Sequence, residues 1–315
     1  MTATGDVRPR AESGQPRRVL LVGHPGRPRA VEVARELVDA LGRHGITMTG
    51  DEVELQEFGL LGRSNVEAVN LHEPAEGTEL VVVLGGDGTI LRAAEIVHSY
   101  GLPLLGINLG HVGFLAEAEP EDIDHIVAGI VDRSWTVEQR QTLEVTARKD
   151  GEIICTGWAL NEATVEKAAR ERMLELVIEI DGRPLSRWGC DGVVMATPTG
   201  STAYAFSTGG PVIWPGVEAL LVCPISAHAL FSRPLVLGPD ARLAIELLTS
   251  TESRGVLWFD GRRPFELPAG ARIEVQRGHR TVDLARLTPS PFVDRLVAKF
   301  DLPVAGWRGQ RERRG

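Results

Sequence analysis

The chain has 315 residues, which is enough for about two domains with their own cores. Hydrophobic residues make up 43% and charged residues 24%, a composition that excludes a largely disordered chain. The net charge of −9 disfavours general binding to nucleic acid or to anionic membranes, and no apolar run approaches the roughly 20 residues of a membrane helix. A site for an anionic ligand must therefore be built locally, from backbone N–H groups, a few cations or a metal ion.

The first half alternates between apolar runs and helical patterns. We predict strand 18–23, helix 31–41, strand 80–84, helix 90–100 and strand 103–108. This order indicates a parallel sheet covered by helices. Residues 1–16 are small, polar and proline-rich, without the apolar core of a signal peptide, and we expect a disordered leader there.

The second half, from residue 137, is rich in short strands. Leu143, Val145 and Ala147 alternate with polar residues, and Asp181-Gly182 is a strong signal for a two-residue hairpin. We predict a β half built from two packed sheets. One last amphipathic helix carries Phe292 and Phe300. Further strands are predicted at 192–196, 220–223, 235–237, 243–247, 256–259, 273–275 and 282–287.

Several common site types are absent from the sequence. It has no GxxxxGK[ST] loop, no GxGxxG after the first strand, no HExxH and no GxSxG. Its three cysteines, Cys155, Cys190 and Cys223, are far apart, which disfavours a disulfide framework or a cysteine zinc site. That pattern fits a reducing compartment, so we expect a cytoplasmic protein.

The strongest chemical signal is Gly85-Gly86-Asp87-Gly88-Thr89, directly after the predicted strand 80–84. Ligands bind α/β sheets at the carboxyl ends of strands, and the N–H groups of a helix N-terminus attract phosphate. A carboxylate in such a loop suits a base that accepts a proton from an attacking hydroxyl, or a group that helps to hold a divalent cation. The alternative is a glycine-rich turn in which Asp87 is a loop or cap residue.

Two further segments are weaker signals. Thr197 to Tyr204 places four hydroxyl residues around one glycine, which could bind an anion, and Tyr204 offers a flat face for a base. Its alternative is a Ser/Thr-rich helix start with Tyr204 in the core. Asn161-Glu162 could accept hydrogen bonds from the diol of a ribose, although a turn or strand end is the more common role. Cys190-Asp191-Gly192 and Asp260-Gly261 are more often plain turns.

Taken together, these segments resemble NAD kinases. The matching elements are GGDGT at 85–89, Asn161-Glu162, Asp191-Gly192, TPTGSTAY at 197–204 and Asp260-Gly261. GGDGT alone is shared with lipid kinases, whereas the combination with NE and TPTGSTAY is much more specific. Residues 291–307 further resemble the actinobacterial branch.

The resemblance implies an α/β plus all-β fold of the NAD kinase/diacylglycerol kinase type. A Rossmann-like N-terminal α/β domain would span 17–136, with 290–307 returning to it. A C-terminal, β-sandwich-like, NAD-binding domain would span 137–289, and 308–315 would form a basic tail.

The implied reaction is phosphoryl transfer to the 2′-hydroxyl of the adenosine ribose of NAD, which gives NADP. Asp87 would be the base, with Gly88 beside it, and Asn161 and Glu162 would hold the ribose. Arg92 and Arg172 match positions that are often basic, although either could be a solvated surface arginine. Arg262 stands where the family often has Gln, so the resemblance implies no role for it. Gly85, Gly86, Gly88 and Thr89 would form the phosphate loop, and Asp191, Thr202, Ala203, Tyr204, Ala205, Phe206 and Ser207 would line the dinucleotide pocket.

The implied cofactor is Mg²⁺ or Mn²⁺, carried in by the donor phosphates, with ATP or polyphosphate as donor. The implied assembly is a homodimer or homotetramer, formed through the β domain, with Asp191 and Tyr204 near the shared part of the site. Neither nucleic acid nor membrane is an expected partner. The alternatives are a lipid kinase of the diacylglycerol or sphingoid type, and a non-catalytic module that senses NAD(P).

Overall fold

The structure is a computed structural model that describes residues 16–110, 113–116, 122–169, 173–249, 254–288 and 291–304. The chain divides into two compact units, unit 1 with Met1–Gln139 and Asp283–Gly315, and unit 2 with Arg140–Val282. In the described ranges, no helix is both long and apolar enough to span a membrane. The predicted leader and basic tail lie outside the described residues, except for Pro16.

The described strands and helices follow one another along the chain with these bounds. The strands are β1 (Arg18–Gly23), β2 (Thr47–Gly50), β3 (Val66–Ala68), β4 (Thr78–Leu84), β5 (Leu104–Ile107), β6 (Thr136–Arg140), β7 (Leu143–Lys149), β8 (Glu152–Ala159), β9 (Glu162–Lys167), β10 (Leu174–Ile180), β11 (Arg183–Cys190), β12 (Gly192–Ala196), β13 (Leu220–Ile225), β14 (Leu235–Leu237), β15 (Leu243–Leu247), β16 (Gly255–Phe259), β17 (Arg263–Leu267), β18 (Arg272–Arg277) and β19 (Val282–Arg286). The helices are α1 (Pro28–Gly42), α2 (Glu52–Glu57), α3 (Asp87–Val97), α4 (Ile123–Asp132), α5 (Tyr204–Ser207) and α6 (Phe292–Phe300).

Unit 1 is built on a seven-stranded sheet in the order β3-β2-β1-β4-β5-β19-β6. The pairings from β3 through β19 are parallel. Residues 80–84 of β4 are fully buried, as expected for a parallel strand covered on both faces. The helix α1 begins at Pro28, whose ring suits a first turn, and its apolar face packs into the same core.

Unit 2 contains two six-stranded antiparallel sheets, in the orders β11-β10-β15-β18-β7-β8 and β14-β13-β12-β9-β16-β17. Buried side chains of both sheets, such as Leu176 from one and Val193 from the other, belong to one core. The two sheets therefore pack face to face, as predicted. The hairpin between β10 and β11 turns at Asp181 (φ 52°) and Gly182 (φ 73°), a left-handed pair that Asp-Gly adopts readily.

Two predictions for the elements are wrong in detail. The helix predicted at 90–100 begins at Asp87 and ends at Val97, because Gly86 is its N-cap and GDGT forms its first turn. The strand predicted at 282–287 for the β domain is β19, which pairs with β5 in the sheet of unit 1. A short apolar run does not indicate which sheet it will join. Unit 2 spans Arg140–Val282, and the predicted bounds 137–289 stay a prediction.

Candidate functional site

The Gly-rich loop of unit 1 lies at the carboxyl end of β4. The N–H of Gly85 donates to Ile107 O at 3.1 Å, and α3 starts two residues later. A Cβ on Gly85 would lie 2.3 Å from Thr89 Oγ1, whereas a Cβ on Gly86 or Gly88 would meet no atom within 4 Å. The loop thus has open space beside the N-terminus of an 11-residue helix, where N–H groups attract anions.

The carboxylate of Asp87 is fixed by backbone N–H groups. Oδ2 accepts from the N–H of Phe114 and Oδ1 from the N–H of Leu115, both at 3.0 Å. Gly113 passes so close that a Cβ there would lie 2.3 Å from Oδ1. Each carboxylate oxygen keeps further acceptor capacity, so Asp87 has a defined orientation and can still receive a proton. Sequence reasoning missed the segment 113–115, since no local motif marks it.

The guanidinium of Arg92 is paired within the protein. It forms an ion pair with Glu54, and Nη1 donates to Gly23 O at 3.3 Å. Arg92 therefore links α3 to the end of β1 and to α2, so it is not a plain solvated surface arginine. Arg172, the other predicted basic position, lies outside the described residues.

In unit 2, the backbone of Asn161-Glu162 is held by the carboxylate of Asp260. Asp260 Oδ1 accepts from the N–H of Asn161 at 2.7 Å and from that of Glu162 at 3.3 Å, and Oδ2 accepts from the N–H of Leu160 at 3.0 Å. This contact follows from the pairing of β16 with β9, which brings residue 260 beside residue 162. Asp260-Gly261 is therefore more than the plain turn that its sequence indicates.

The Asp260 carboxylate is buried and is stabilised by Arg263. Burial raises the pKa of Asp260, while the three N–H donors and the Arg263 charge act in the opposite direction. Arg263 Nη2 lies 3.3 Å from Asp260 Oδ2 and donates to Trp158 O at 2.8 Å. The guanidinium also stacks over the rings of Trp158 and Phe259, 5.0 and 5.4 Å from their centroids.

The segment after β12 lies directly against the backbone of Asn161. The N–H of Thr197 donates to Asn161 O at 2.9 Å, and the Thr197 hydroxyl donates to Leu160 O at 2.6 Å. A Cβ on Gly200 would lie 2.0 Å from Asn161 O, so this approach requires glycine.

Two of the four hydroxyls predicted to bind an anion have structural roles. Thr197 and Ser201 are fully buried, and the Ser201 hydroxyl donates to Pro198 O at 2.6 Å. These two hydroxyls therefore donate within the protein, and anion binding by the rest of the turn stays a prediction. Thr202 and Ala203 are partly exposed, Ala205 is buried, and Phe206 and Ser207 are exposed.

Tyr204 lies near three carboxylates, and it is not the core residue of the alternative prediction. Its side chain is 36% exposed. Burial is the main cause of its raised pKa, and the charges of Glu166, Glu162 and Asp191 add to it. Asp191 forms a 2.5 Å ion pair with Lys167. The structure thus brings together three of the predicted site residues, Glu162, Asp191 and Tyr204.

Glu162 is a buried carboxyl with an open hydrogen-bonding position. The residue is 7% exposed, and within the described part of the chain its buried Oε2 has no hydrogen-bond partner. Burial and, next, the charge of Asp260 raise the pKa of Glu162 to about 8, although the N–H of Tyr204 acts against the shift. At neutral pH the group is therefore mostly protonated, and it can both donate and accept a hydrogen bond.

The raised pKa of Glu162 predicts a pH dependence of stability. Relative to the ordinary value of 4.5, a folded pKa of about 8 favours folding at low pH, and this contribution is lost as the pH rises through 8. We expect Glu162→Gln to be more stable than the wild type at pH 9, by an amount on the order of 5 kcal/mol at about 1.4 kcal/mol per pKa unit, and little different at pH 4. Denaturant unfolding at both pH values measures this, with the exposed Glu152→Gln as control. Equal pH slopes for Glu162→Gln and the wild type would contradict the prediction.

Comparisons with known proteins also divide the chain into two parts. The ATP-NAD kinase N-terminal domain matches residues 19–135, and the ATP-NAD kinase C-terminal domain matches residues 160–287. An NAD kinase of Thermobifida fusca is 56% identical over 306 residues, covering 95% of this chain and 93% of that protein. NAD kinase 2 of Streptomyces coelicolor is 55% identical over 293 residues, covering 93% and 97%.

Two solved structures have the same fold. Yeast NADH kinase complexed with NADH superposes with a TM-score of 0.83 at 25% identity, covering 93% of this chain and 90% of that one. An NAD kinase from Archaeoglobus fulgidus in complex with ATP gives a TM-score of 0.68 at 25% identity, covering 90% and 98%.

An α/β unit with an Asp-bearing glycine-rich loop, joined to an antiparallel β unit, defines a phosphotransferase of the ATP-NAD kinase fold. The chain belongs to the NAD kinase family. The family resemblance, the fold class and the NAD kinase function predicted from the sequence are therefore confirmed.

Proposed function

We propose that this NAD kinase transfers the γ-phosphoryl group of ATP to the 2′-hydroxyl of the adenosine ribose of NAD, with Asp87 as the general base. The observation that carries this assignment is the Asp87 carboxylate. It is the first residue of α3, it is held in place by the N–H groups of Phe114 and Leu115, and it lies beside the open space at Gly86 and Gly88.

In the proposed reaction, the 2′-oxygen forms a bond to the γ-phosphorus as its proton passes to a carboxylate oxygen of Asp87. The bond between the γ-phosphorus and the β,γ-bridging oxygen breaks, and ADP leaves with that electron pair. Phosphoryl transfer depends mainly on alignment and charge stabilisation. The fixed orientation of Asp87 and the N–H groups at the start of α3 supply part of both.

In unit 2, we assign Asn161 and Glu162 to the hydroxyls of the NAD ribose. The support is the open position at Glu162 Oε2, a buried polar atom that a ribose hydroxyl would satisfy. Because the Glu162 pKa is about 8, the carboxyl can also donate to a ribose oxygen at neutral pH. Asp191 and Tyr204 are proposed to line the same pocket, with the Tyr204 ring as a surface for a base.

A divalent cation, Mg²⁺ or Mn²⁺, is proposed to arrive bound to the donor phosphates. Among the described residues, no group of three or more His, Cys, Asp or Glu side chains could hold a metal ion. Mg²⁺ is commonly held by substrate phosphates with few protein ligands. The ion would neutralise phosphate charge during the transfer.

The test is incubation of the purified protein with NAD, ATP and Mg²⁺, with NADP measured through glucose-6-phosphate dehydrogenase. We expect NADP to form in proportion to enzyme. Diacylglycerol or a sphingoid base phosphorylated in place of NAD would favour the lipid kinase. NAD binding without turnover would favour a sensing module.

The expected cytoplasmic location stays a prediction.

We further propose that inorganic polyphosphate can replace ATP. A site that binds phosphates through backbone N–H groups has little need to recognise adenine. The open space at Gly86 and Gly88 supports binding of this kind. We expect NADP formation with polyphosphate at the same concentration of transferable phosphoryl groups. NADP formation with ATP and none with polyphosphate would contradict the prediction.

We also propose a homodimer or homotetramer assembled through unit 2. Strand edges need to be covered, and unit 2 exposes apolar side chains that include Leu230, Phe231 and Val236. Light scattering at micromolar concentration should give two or four times the 34.1 kDa chain mass. A fully active monomer at that concentration would contradict the prediction.

A further inference from the structure

We propose that Arg286 and Arg295 are positioning residues that hold the Asp87 carboxylate through the backbone of residues 114–115. The inference rests on the proposed role of Asp87 as base. Both arginines come from the C-terminal part of the chain, Arg286 from the end of β19 and Arg295 from α6. Neither is among the candidate site residues predicted from the sequence.

A single peptide group connects Arg295 to Asp87. Arg295 Nη1 donates to Phe114 O at 3.0 Å, and the N–H of the same peptide group, that of Leu115, donates to Asp87 Oδ1 at 3.0 Å. Hydrogen bonds in such a chain polarise one another, so a cation on the carbonyl strengthens the N–H as a donor to the carboxylate.

Arg286 holds the next carbonyl of the same segment. Its Nη1 donates to Leu115 O at 3.0 Å, and its Nε donates to Glu138 Oε2 on β6 at 2.7 Å. Glu138 therefore anchors the guanidinium to the edge of the sheet. The carbonyls of Phe114 and Leu115 are thus both fixed by arginines, while the N–H groups of the same residues bind Asp87.

The arrangement is buried and is packed from one side by α6. Arg286 is 6% exposed and Arg295 is 8% exposed, so both cations are withdrawn from water, which is costly unless their donors are used. The ring of Phe114 packs against Phe292 and Phe300 of α6, with centroids 5.7 and 6.0 Å apart. Movement of α6 would therefore move the peptide group that orients the base.

The first experiment measures kcat and the KM for NAD of Arg295→Gln. We expect kcat to fall roughly 10- to 100-fold, because misplacing a reacting group by about 1 Å can cost about 10²-fold. The KM for NAD should change much less, and Arg295→Lys, which keeps the charge and one donor, should recover part of the loss. Arg63→Gln is the matched control, since Arg63 forms an exposed ion pair with Asp39 on the same unit. It should leave kcat unchanged.

The second experiment is a double-mutant cycle with Asp87→Asn. If Arg295 acts through the base, Arg295→Gln should lower kcat little further once Asp87 is replaced, because residues that act as a unit are strongly non-additive. If Arg295 had only a structural role, Arg295→Gln would lower the melting temperature in both backgrounds. It would then also lower kcat by the same factor whether or not Asp87 is replaced. If Arg295→Gln does not fold, Arg295→Lys and Arg286→Lys replace it in the cycle.

The outcomes separate the two proposals. Suppose that Asp87→Asn loses activity, but the arginine variants keep wild-type kcat or lower kcat by the same factor in the wild-type and Asp87→Asn backgrounds. The positioning role is then overturned, whereas the role of Asp87 as base stands. If Asp87→Asn keeps wild-type kcat, the proposed function of Asp87 is wrong and the positioning role is overturned with it. A loss of kcat that disappears in the Asp87→Asn background supports the positioning role.

Discussion

Replacing Asp87 with asparagine should lower kcat by ~10²- to 10⁴-fold, the range typical of general-base catalysis. The ribose hydroxyl is a weak nucleophile while it keeps its proton, and an amide cannot accept that proton. The size of the side chain is nearly unchanged. Its NH₂ group, however, would face the N–H of Phe114 or Leu115, so one of the two hydrogen bonds is lost. We expect this to lower the free energy of unfolding by only ~1 kcal/mol.

The measurement combines kcat, NAD affinity by calorimetry and a melting curve on one preparation of Asp87→Asn. NAD affinity should change far less than kcat, because the proposed ribose contacts belong to Asn161 and Glu162. Asp39→Asn is the matched control, an exposed aspartate on the same unit. A variant with near wild-type kcat would remove Asp87 from catalysis. A variant that fails to fold would favour the structural role of a turn or cap residue.

Replacing Asp260 with alanine should destabilise unit 2 by about 3–5 kcal/mol, a large effect for one substitution. The change leaves the N–H groups of Leu160, Asn161 and Glu162 without their acceptor. Each buried donor that loses its acceptor costs about 1–3 kcal/mol. Asp260 also has φ 51°, a left-handed conformation that alanine adopts less readily than aspartate. NAD affinity should fall as well, since the backbone that carries the proposed ribose-binding side chains loses its support.

Denaturant unfolding with calorimetry of NAD binding tests the Asp260→Ala prediction. Asp260→Asn should be less damaging, because asparagine tolerates the left-handed conformation and keeps one acceptor oxygen. Asp240→Ala is the matched control, an aspartate of the same unit that is 89% exposed in its ion pair with Arg277. It should change stability by less than about 0.5 kcal/mol. An Asp260→Ala variant as stable as this control would show that the three N–H groups find other partners.

Local signals predicted much of the fold. Strand β1 matches its predicted bounds, 18–23, because its apolar residues are nearly all buried. The Asp181-Gly182 turn forms because these residue types adopt left-handed conformations readily. The glycine-rich loop at 85–89 also combines local signals, since glycines after a buried strand and before a helix favour both a turn and the proposed anion site. The sequence also indicated two sheets in the β half from its short alternating runs.

Contacts between distant residues were decided by the tertiary structure alone. The sequence marked Asp87, Arg92 and Asp260, but it contained no sign that Asp87 binds the N–H groups of Phe114 and Leu115, or that Arg92 pairs with Glu54. The placement of β19 beside β5 is of the same kind. Residue type and periodicity report the conformation and the buried face of a segment. The partner that a side chain or strand meets depends on how segments distant along the chain are brought together by the packing of the sheets, as with Asp260 and Leu160.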